Sequence, residues 1–388
     1  MKVKTVLIIS YSLLHRDPRI LRQVQALEQN YKITTIGYTP IKNDSIIHYP
    51  LNIPIKSSLI RKFCNFINVL LRRFKNNTEK ILEARFNLKN ILSMDIATPD
   101  VIFANDWNGL YLASALKSKH NWKVKIYYDA HEYSPKDHNS IRWWLVIRPL
   151  VIDVLKKCKS DISAMTTVCD GIARAYEKFY CFPKGFVRVV TNATEYNANL
   201  TPRVARERVI KLIHHGGAIK KRRLELMIEM MRYLDPDKYE LTFMLVKTEP
   251  RYYKSMVKIA EKYKNIKFIE PVSFSEITST LNNYDIGVYI LLPQNFNHQH
   301  ALPNKLFEFV QARLAIAIAP SVEMVKIVKQ YDLGVCAKDF TPKSLANSIA
   351  EITPNKLLEY KKNADKHARE LSAEANITQI RNIVTELT

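Results

Sequence analysis

Short apolar segments rich in Val, Ile, Phe and Tyr alternate with longer helical stretches along the whole sequence. The segments that we interpret as strands are Val3–Ser10, Tyr31–Tyr38, Asp100–Ala104, Val124–Asp129, Ala164–Val168, Phe186–Thr191, Val209–His214, Tyr239–Val246, Ile266–Glu270, Ile286–Leu291, Ala315–Ala319 and Leu333–Ala337. Apolar strands separated by helices are typical of parallel sheets that helices cover on both faces. The sequence therefore predicts an α/β protein.

The length of the chain predicts two domains. A chain of 388 residues exceeds what one hydrophobic core usually organises, and 47% hydrophobic residues is enough for two cores. The stretch from Glu195 to Arg206 is polar and contains a proline, so we place a linker there and expect domains over residues 1–200 and 205–370. Ligands of open parallel sheets bind beyond the carboxyl ends of the strands, so we expect the two domains to face a central cleft lined by those ends.

The chain carries a large excess of positive charge, with 59 Lys and Arg against 37 Asp and Glu and a formal net charge of +22. Such a surplus favours phosphates, anionic lipid or nucleic acid as partners. The basic residues are spread over many predicted helices and no nucleic-acid reader motif is present, so we expect no nucleic acid partner.

The cysteines and the hydropathy pattern indicate the compartment. The five cysteines show neither close pairing nor metal-ligand spacing, which favours a reducing, cytoplasmic environment. The apolar run at the N-terminus ends where charge returns at 15–17, so we interpret it as a first strand rather than a signal peptide. No apolar run reaches the roughly 20 residues that cross a bilayer, so we expect any membrane association to be peripheral.

The stretch 301–320, ALPNKLFEFVQARLAIAIAP, predicts a helix followed at once by a buried strand. Pro303 suits the first position of a helix, and the N–H groups of Asn304 and Lys305 would then point outward from its positive end. Lys305 adds a full positive charge there. Glu308 lies one turn further on the same face, where a carboxylate can accept two neighbouring hydroxyls. The stretch predicts a site for a ribose diphosphate.

A second candidate phosphate-binding element is a glycine turn with four cations. Gly216 and Gly217 end a predicted strand just before the basic residues 220–223, among them Lys221 and Arg222. Glycines let the backbone approach a ligand closely, and the cations would neutralise the charge on a departing nucleotide diphosphate. The alternative is a solvated basic face at the start of a helix.

These motifs resemble those of a known enzyme family. The second half contains HHGGAIKKRRLELMIEMM, then YDIGVYILLP followed by ALPNKLFEFVQARLAIAIAPSVEMVKIV, in the order and spacing of a nucleotide-sugar site. The first half contains HRDPRILRQVQALEQNYKITTI, PDVIFANDWNGLYLA, IYYDAHEYSP and AMTTVCDGIARAYEKFY, which resemble acceptor-domain landmarks. The chain thus resembles GT-B glycosyltransferases of the large retaining family 4. The resemblance implies two Rossmann-like domains, a UDP- or GDP-sugar donor in the second half, and a final helix in 371–388, about Ala373 to Leu387, that returns to the first domain.

The resemblance also assigns donor-side roles. It implies that Glu308 holds the ribose, whereas His300 stands where the family has a first glutamate that contacts the donor sugar. Gly217 stands where the family has an arginine, and Arg222 stands where it has a lysine. Lys221 or Lys305 would therefore have to supply the positive charge that the arginine provides in the family. His298 lies close to His300 in sequence, but no third ligand is apparent, so we expect a loop histidine pair and no metal site.

Four polar residues of the first half follow predicted strands and are candidates for the acceptor side: Asp17, Asp106, His131 and Glu132. The resemblance places His131 next to the transferred sugar and Asp17 near the acceptor entrance, and with Lys305 and Arg222 these form the expected catalytic set. A structural role for His131 and a capping role for Glu132 are the alternatives. The Asp-x-Asp at Asp235 precedes a strand, which indicates a turn rather than a metal site.

Two basic amphipathic segments favour a membrane surface as a further partner. In 57–92 the apolar residues Leu59, Ile60, Phe63, Phe66, Ile67, Leu70, Leu71 and Phe74 repeat at helical spacing among cations. The segment from Ile141 to Lys159 has the same character. Such helices can lie in an anionic membrane surface, or they can be ordinary helices with one side in the core.

Together these inferences predict a metal-independent glycosyltransferase that needs no cofactor beyond its nucleotide-sugar substrate. We expect it to transfer the sugar, with retention, to a glycan or lipid-linked acceptor in surface polysaccharide synthesis, at the inner face of the cell membrane. The alternatives are a nucleotide-sugar epimerase of similar fold and a catalytically inactive binding relative.

Overall fold

The computed structural model describes residues 3–52, 88–141, 143–203 and 209–388. The chain divides into two compact units, Met1–Val190 together with Ile377–Thr388, and Thr191–Asn376. Each unit contains one parallel sheet.

The sheet of the first unit has the order β3-β2-β1-β4-β5-β6-β7. Its strands are β1 (Thr5–Ile9), β2 (Lys32–Gly37), β3 (Ile47–Pro50), β4 (Val101–Asn105), β5 (Lys125–Asp129), β6 (Ile162–Thr167) and β7 (Val187–Val189). All neighbouring pairs are parallel, and the strand order reverses between β1 and β4. Such a reversal opens a crevice at the carboxyl ends of the strands.

The sheet of the second unit repeats this arrangement, with the order β10-β9-β8-β11-β12-β13 and parallel pairing throughout. Its strands are β8 (Ile210–Gly217), β9 (Tyr239–Val246), β10 (Ile266–Ile269), β11 (Ile286–Tyr289), β12 (Ala315–Ile318) and β13 (Gly334–Cys336). Here the order reverses between β8 and β11, so this pair of strands defines the crevice of the second unit.

Helices connect the strands in both units. Among the residues of the first unit that the structure describes, the helices are α1 (Pro18–Leu27), α2 (Leu88–Leu92), α3 (Asp106–Lys119), α4 (Arg148–Lys157) and α5 (Asp170–Tyr180). Those of the second are α6 (Glu225–Met230), α7 (Pro250–Ala260), α8 (Ile277–Leu281), α9 (Phe296–Gln299), α10 (Asn304–Gln311), α11 (Val322–Gln330), α12 (Pro342–Ala350) and α13 (Pro354–His367). Within the described ranges, no helix has the length and apolar character needed to cross a membrane.

The last helix, α14 (Ala373–Leu387), begins in the second unit and ends in the first. Its apolar residues Ile377, Ile380, Ile383, Val384 and Leu387 belong to the same buried cluster as Val6 and Ile8 of β1 and Val24 and Leu27 of α1. The C-terminal residues are therefore part of the core of the first unit.

The α/β fold class is confirmed, and each segment interpreted as a strand overlaps one, although β4, β6 and β8 extend beyond the predicted bounds. The sequence missed only β3 among the described strands; it is an edge strand of four residues, IHYP, with no buried side chain and a proline at its end. Short edge strands lack the continuous apolar run that identifies buried ones. The amphipathic segment predicted in 57–92 lies outside the described residues, apart from α2.

A glycine in β11 allows the helix that carries the candidate phosphate site to pack closely on the sheet. A Cβ atom at Gly287 would overlap the ring of Phe309, which lies on α10 and is buried. Leu306 and Val310 of the same helix are also buried. Because Phe309 occupies the space above Gly287, α10 is fixed against β11 and the direction of its N-terminus is set.

Candidate nucleotide-binding site

The helix predicted at 301–320 begins at the carboxyl edge of the second sheet. Pro303 has extended backbone angles, φ −78° and ψ 153°, and immediately precedes the first helical residue, Asn304. The sequence analysis predicted Pro303 as the first helical residue, whereas it is the residue before the helix. The N–H of Leu306 donates to the carbonyl of Pro303 at 3.1 Å. The N–H groups of Asn304 and Lys305 precede this bond and have no partner within the helix, so they are available to an anion.

Lys305 extends from this helix start into the crevice between β8 and β11. Its Nζ donates to the carbonyl of His215 at 2.9 Å and lies 3.2 Å from Nε2 of His214 and 4.1 Å from the ring centre of Tyr289. Burial, and then the cation of Arg222, lowers the pKa of Lys305 well below its ordinary value. Desolvation in this crevice therefore opposes the full positive charge that the sequence predicts at this helix start. A bound phosphate would favour the ammonium form again.

His214 is held as a neutral acceptor for this amine. Its Nδ1 lies 2.9 Å from the carbonyl of Val288, and a carbonyl can only accept, so Nδ1 carries the hydrogen. The lone pair of Nε2 then faces Lys305. Burial, followed by the charge of Lys305, lowers the pKa of His214 well below its ordinary value, which keeps the ring uncharged.

Glu308 is buried one helical turn further on, with 5% of its surface exposed, so it is not a carboxylate on the helix surface. Burial raises the pKa of Glu308 to about 7, and the neighbouring Lys305 limits this rise. Its Oε2 lies 3.3 Å from Nε2 of His215, yet burial lowers the pKa of His215 to about 3 and Nε2 makes no hydrogen bond. The two groups are thus close without forming an ion pair, because the imidazole is neutral at neutral pH.

The two predicted glycines bring backbone and cations together at the end of β8. Gly216 has φ +120°, and a Cβ there would lie 3.4 Å from Nζ of Lys305 and 3.9 Å from Nη1 of Arg222. A Cβ at Gly217 would lie 2.9 Å from Oγ1 of Thr248. Gly216, Lys305 and Arg222, which the sequence predicts on the donor side, therefore lie close together. Because Gly216 has no side chain, its backbone is accessible beside the side chains of Lys305 and Arg222.

The four predicted cations do not act as one group. A 3-10 turn spans Lys220–Arg222, and Arg223 adopts φ 53° and pairs with Glu225 at 2.5 Å. Arg222 is half-buried beside Lys305, whereas Lys221 is exposed and uses its carbonyl to accept from Gln294 at 2.7 Å. Of this turn, Arg222 is the residue whose guanidinium lies beside Gly216 and Lys305.

His300 has a carboxylate partner that the sequence did not reveal. Nδ1 of His300 lies 3.1 Å from Oε1 of Glu323, in the first turn of α11. The prediction of a loop is wrong for His298, which lies in the short helix α9, and His300 follows the end of that helix. Within the described ranges, no group of three or more His, Cys, Asp or Glu could hold a metal ion. Asp235 accepts from the N–H of Asp237 at 3.0 Å ahead of β9, as a turn residue does.

At the carboxyl edge of the first sheet, Arg19 connects two predicted acceptor-side residues. It donates to both oxygens of Asp106, at 3.1 and 2.9 Å, and lies 3.6 Å from Asp17. Asp17 also caps α1 by accepting from the N–H of Arg19 at 3.1 Å. Burial lowers the pKa of Arg19, but the carboxylates of Asp106, Asp129 and Asp17 together raise it by more. The pKa of Arg19 therefore lies above its ordinary value. The sequence missed Arg19, although it lies two residues after Asp17.

A buried network beneath these residues fixes the ends of β4 and β5. Gln23 donates to Asn105 at 2.7 Å and to Asp129 at 3.1 Å, and Thr166 donates to the other oxygen of Asp129 at 3.1 Å. Burial raises the pKa of Asp129, and Arg19 opposes that rise. Satisfied networks of this kind hold a strand edge in one arrangement.

The loop after β5 is held by side chains from neighbouring elements. His131 adopts φ +54°, and its carbonyl accepts from Thr167 at 2.7 Å. The carbonyl of Glu132 accepts from the hydroxyl of Tyr176 at 2.9 Å. Glu132 is exposed, yet desolvation by the surrounding chain, and then the neighbouring carboxyl group of Asp137, raises its pKa to about 7. Glu132 can therefore exchange a proton near neutral pH.

The same arrangement of two parallel sheets occurs in GT-B glycosyltransferases. The chain is similar in structure to HepE from Anabaena, solved with UDP and glucose, at 13% identity over 99% of this chain and 100% of that chain, with a TM-score of 0.68. It is also similar to sucrose-phosphate synthase from Thermosynechococcus elongatus, at 12% identity over 99% of both chains and a TM-score of 0.71. A glycosyltransferase from Rickettsia africae matches at 12% identity over 100% of this chain and 99% of that one, with a TM-score of 0.67.

No protein-family model matches this sequence, and no sequence of a curated protein matches it significantly. The structural likeness nevertheless spans the whole chain. The chain therefore has the GT-B glycosyltransferase fold, which confirms the resemblance at the level of the fold.

Proposed function

We propose that this chain is a glycosyltransferase that moves a sugar from a UDP- or GDP-sugar to a glycan or lipid-linked acceptor. The observation that carries the proposal is the buried amine of Lys305, which meets the open backbone of Gly216 at the start of α10. Glu308 lies one turn beyond, where it can accept ribose hydroxyls. HepE, which has the same fold, has been solved with UDP-glucose.

The donor site would use side-chain cations in the place of a divalent metal ion. The N–H groups of Asn304 and Lys305 and the charges of Lys305 and Arg222 would hold the two phosphates and stabilise the departing diphosphate. Gly216 and Gly217 would let the backbone approach them, and the exposed Lys221 would contribute from a distance. We expect activity to persist when divalent metals are removed with a chelator, and complete loss would contradict this assignment.

The acceptor would bind at the carboxyl edge of the first sheet, near Asp17, Asp106 and Glu132. We place His131 beside the transferred sugar, as the resemblance implies; its carbonyl accepts a hydrogen bond from Thr167 at 2.7 Å. Proton removal from the acceptor by the leaving phosphate would give retention of configuration, as the resemblance implies. Nuclear magnetic resonance of the first product formed distinguishes this from inversion.

Nucleotide binding tests the proposal first. We expect UDP or GDP, and the corresponding nucleotide sugar, to raise the melting temperature of the purified protein. Lys305→Ala and Glu308→Ala should abolish most of this stabilisation, whereas Lys329→Ala, an exposed lysine of the same unit, should retain it. Folded protein that responds to no nucleotide would refute the function. Release of a rearranged nucleotide sugar without any acceptor would indicate an epimerase instead.

An exposed apolar patch supports a membrane surface as the site of the reaction. Ile141 and Leu145 are 78% and 66% exposed, and Arg148 lies 4.2 Å above the ring of Trp144. Trp144 and Leu145 lie in a π-helical turn, Trp143–Ile147, that leads into α4; Ile141 precedes this turn and Arg148 follows it. Large apolar side chains beside a cation suit an anionic lipid interface. We therefore propose peripheral attachment at the inner face of the cell membrane, in the synthesis of surface polysaccharide.

Vesicle co-sedimentation tests this attachment. The protein should bind vesicles with anionic lipid more tightly than neutral vesicles, and Leu145→Ser should weaken that binding. Phe274→Ser removes an apolar side chain that is 58% exposed on the second unit and serves as the matched control. Equal binding by both variants and the parent would exclude this patch.

A further inference from the structure

A fully buried histidine of the second sheet contacts the amine of the candidate phosphate site. His214 lies on β8 with none of its surface exposed, and Leu212, on the same face of the strand, is equally buried. A polar ring in such a position costs free energy unless its nitrogen atoms have hydrogen-bond partners. Both nitrogen atoms have one here: the carbonyl of Val288 at 2.9 Å and Nζ of Lys305 at 3.2 Å. These two contacts offset the burial of a histidine where the neighbouring position carries a leucine.

The neighbouring strands fix the orientation of this imidazole. β8 lies between β9 and β11 in the sheet. The ring centres of Phe243 on β9 and Tyr289 on β11 lie 6.0 and 5.2 Å from that of the imidazole. Because Nδ1 donates to the carbonyl of Val288, Nε2 keeps a lone pair that faces Lys305. The sheet, rather than the helix that carries the lysine, thus sets the direction of this acceptor.

The amine of Lys305 needs such a partner, because a lysine side chain is long and flexible and loses rotamer entropy when it is ordered. Its Nζ has two acceptors on β8, Nε2 of His214 and the carbonyl of His215, which is 2.9 Å away. The centre of the Tyr289 ring lies 4.1 Å from the same atom. These contacts hold the amine 3.4 Å from the position of a Cβ atom at Gly216. An amine that is already ordered can bind a phosphate without paying this entropy on binding.

We propose that His214 is a positioning residue, which holds the amine of Lys305 beside the backbone of Gly216 to receive the diphosphate of the donor. This inference rests on the proposed function and adds to it the residue that orders the phosphate-binding amine. Because His214 is fully buried, it acts through Lys305 and not by contact with the nucleotide. The affinity for a nucleoside diphosphate should therefore depend on His214 only while Lys305 is present.

A double-mutant cycle measured by calorimetry tests the proposal. The dissociation constants of UDP and GDP are determined for the parent, His214→Phe, Lys305→Met and the double variant. Phenylalanine keeps a flat ring of similar size and removes the acceptor. Loss of one oriented hydrogen bond should weaken binding by about 5- to 10-fold in His214→Phe, and loss of the cation should weaken it by about 10- to 100-fold in Lys305→Met. In the Lys305→Met protein, the addition of His214→Phe should change the affinity by less than about twofold.

A conservative variant separates positioning from support of the fold. His214→Gln carries an amide oxygen that can accept from Lys305 and an amide N–H that can donate to the carbonyl of Val288. It should therefore recover part of the affinity that His214→Phe loses. His48→Phe is the matched control, because it removes a histidine contact in the first unit, where Nδ1 of His48 lies 3.0 Å from Oγ1 of Thr35. This control should bind the nucleotide as the parent does.

Long-range proton–nitrogen NMR of the parent supplies a measurement that does not depend on the folding of a variant. Nδ1 of His214 should carry the hydrogen, and Nε2 should be unprotonated. The Nε2 resonance should shift when UDP or GDP is added, because the amine that it faces then contacts the phosphates. A hydrogen on Nε2 in the free protein would leave no acceptor for Lys305 and would refute the proposal.

The outcomes of the cycle distinguish this inference from the function on which it rests. If His214→Phe weakens binding equally with and without the Lys305 amine, the histidine only supports the fold of the site and the proposal is refuted. If Lys305→Met weakens binding but His214→Phe does not, the proposed function stands and this inference fails. If the parent binds neither nucleotide, the proposed function itself fails, and this inference fails with it.

Discussion

The buried carboxyl group of Glu308 should make the stability of the protein fall as pH rises through the weakly acidic range. Burial raises its pKa from the ordinary 4.5 to about 7. Between these values the folded protein binds a proton that the unfolded chain has released, so the free energy of unfolding decreases with pH. The contribution is fully present below about pH 4.5 and is lost as pH rises through about 7. At about 1.4 kcal/mol per pH unit, this interval amounts to about 3 kcal/mol.

Urea unfolding of the parent and of Glu308→Gln, from pH 4.5 to 8.5, measures this contribution. Glutamine is neutral throughout this range and has almost the same shape as glutamate. The buried His214 and His215 make stability rise with pH in both proteins, so their contribution cancels when the two free energies of unfolding are subtracted. We expect the stability of the parent relative to Glu308→Gln to fall by about 3 kcal/mol across the range. Glu351→Gln, at an exposed position, is the matched control. A difference that does not change with pH would refute the desolvation of Glu308 on which the argument depends.

Three further substitutions have defined outcomes. Lys361→Met should lower the free energy of unfolding by about 3 kcal/mol, measured by urea titration, because it leaves the buried Asp285 without its partner at 3.1 Å. Gly216→Ala should weaken nucleotide binding by about tenfold in calorimetry, because the new methyl group would lie 3.4 Å from Nζ of Lys305 and cover the backbone that the proposed diphosphate approaches; the strain at φ +120° would separately lower stability by about 1–3 kcal/mol. Asp106→Asn should cost about 1 kcal/mol of stability by removing the paired contact with the partly exposed Arg19, and unchanged thermal unfolding would contradict that role.

Most of the fold follows from local sequence patterns. The buried strands β11 and β12 carry the apolar runs IGVY and AIAI, and such runs between helices are typical of parallel sheets, so they can be recognised without knowledge of their partner strands. The edge strand β3 has no such run, and it exists because its backbone pairs with β2. Its prediction would have required knowledge of the neighbouring strand.

The candidate site could be predicted only in part. Asn304, Lys305 and Glu308 lie within one short stretch, so helical periodicity alone places them on one helix. Glu323 follows a different strand, and its contact with His300 depends on the pairing of β11 with β12. The sequence contained Glu323 but gave no signal that it meets a histidine.

The sequence by itself determined the α/β class, the alternation of strands and helices, and the helix start that suits a diphosphate, because these depend on residues close together in the chain. Only the tertiary structure decided the charge states at that helix. The pKa of Lys305 is lowered and that of Glu308 raised because the packed sheet removes water from both and brings Arg222 close to the amine. Desolvation is a property of the assembled core, so a pattern of residue types along the chain cannot specify it.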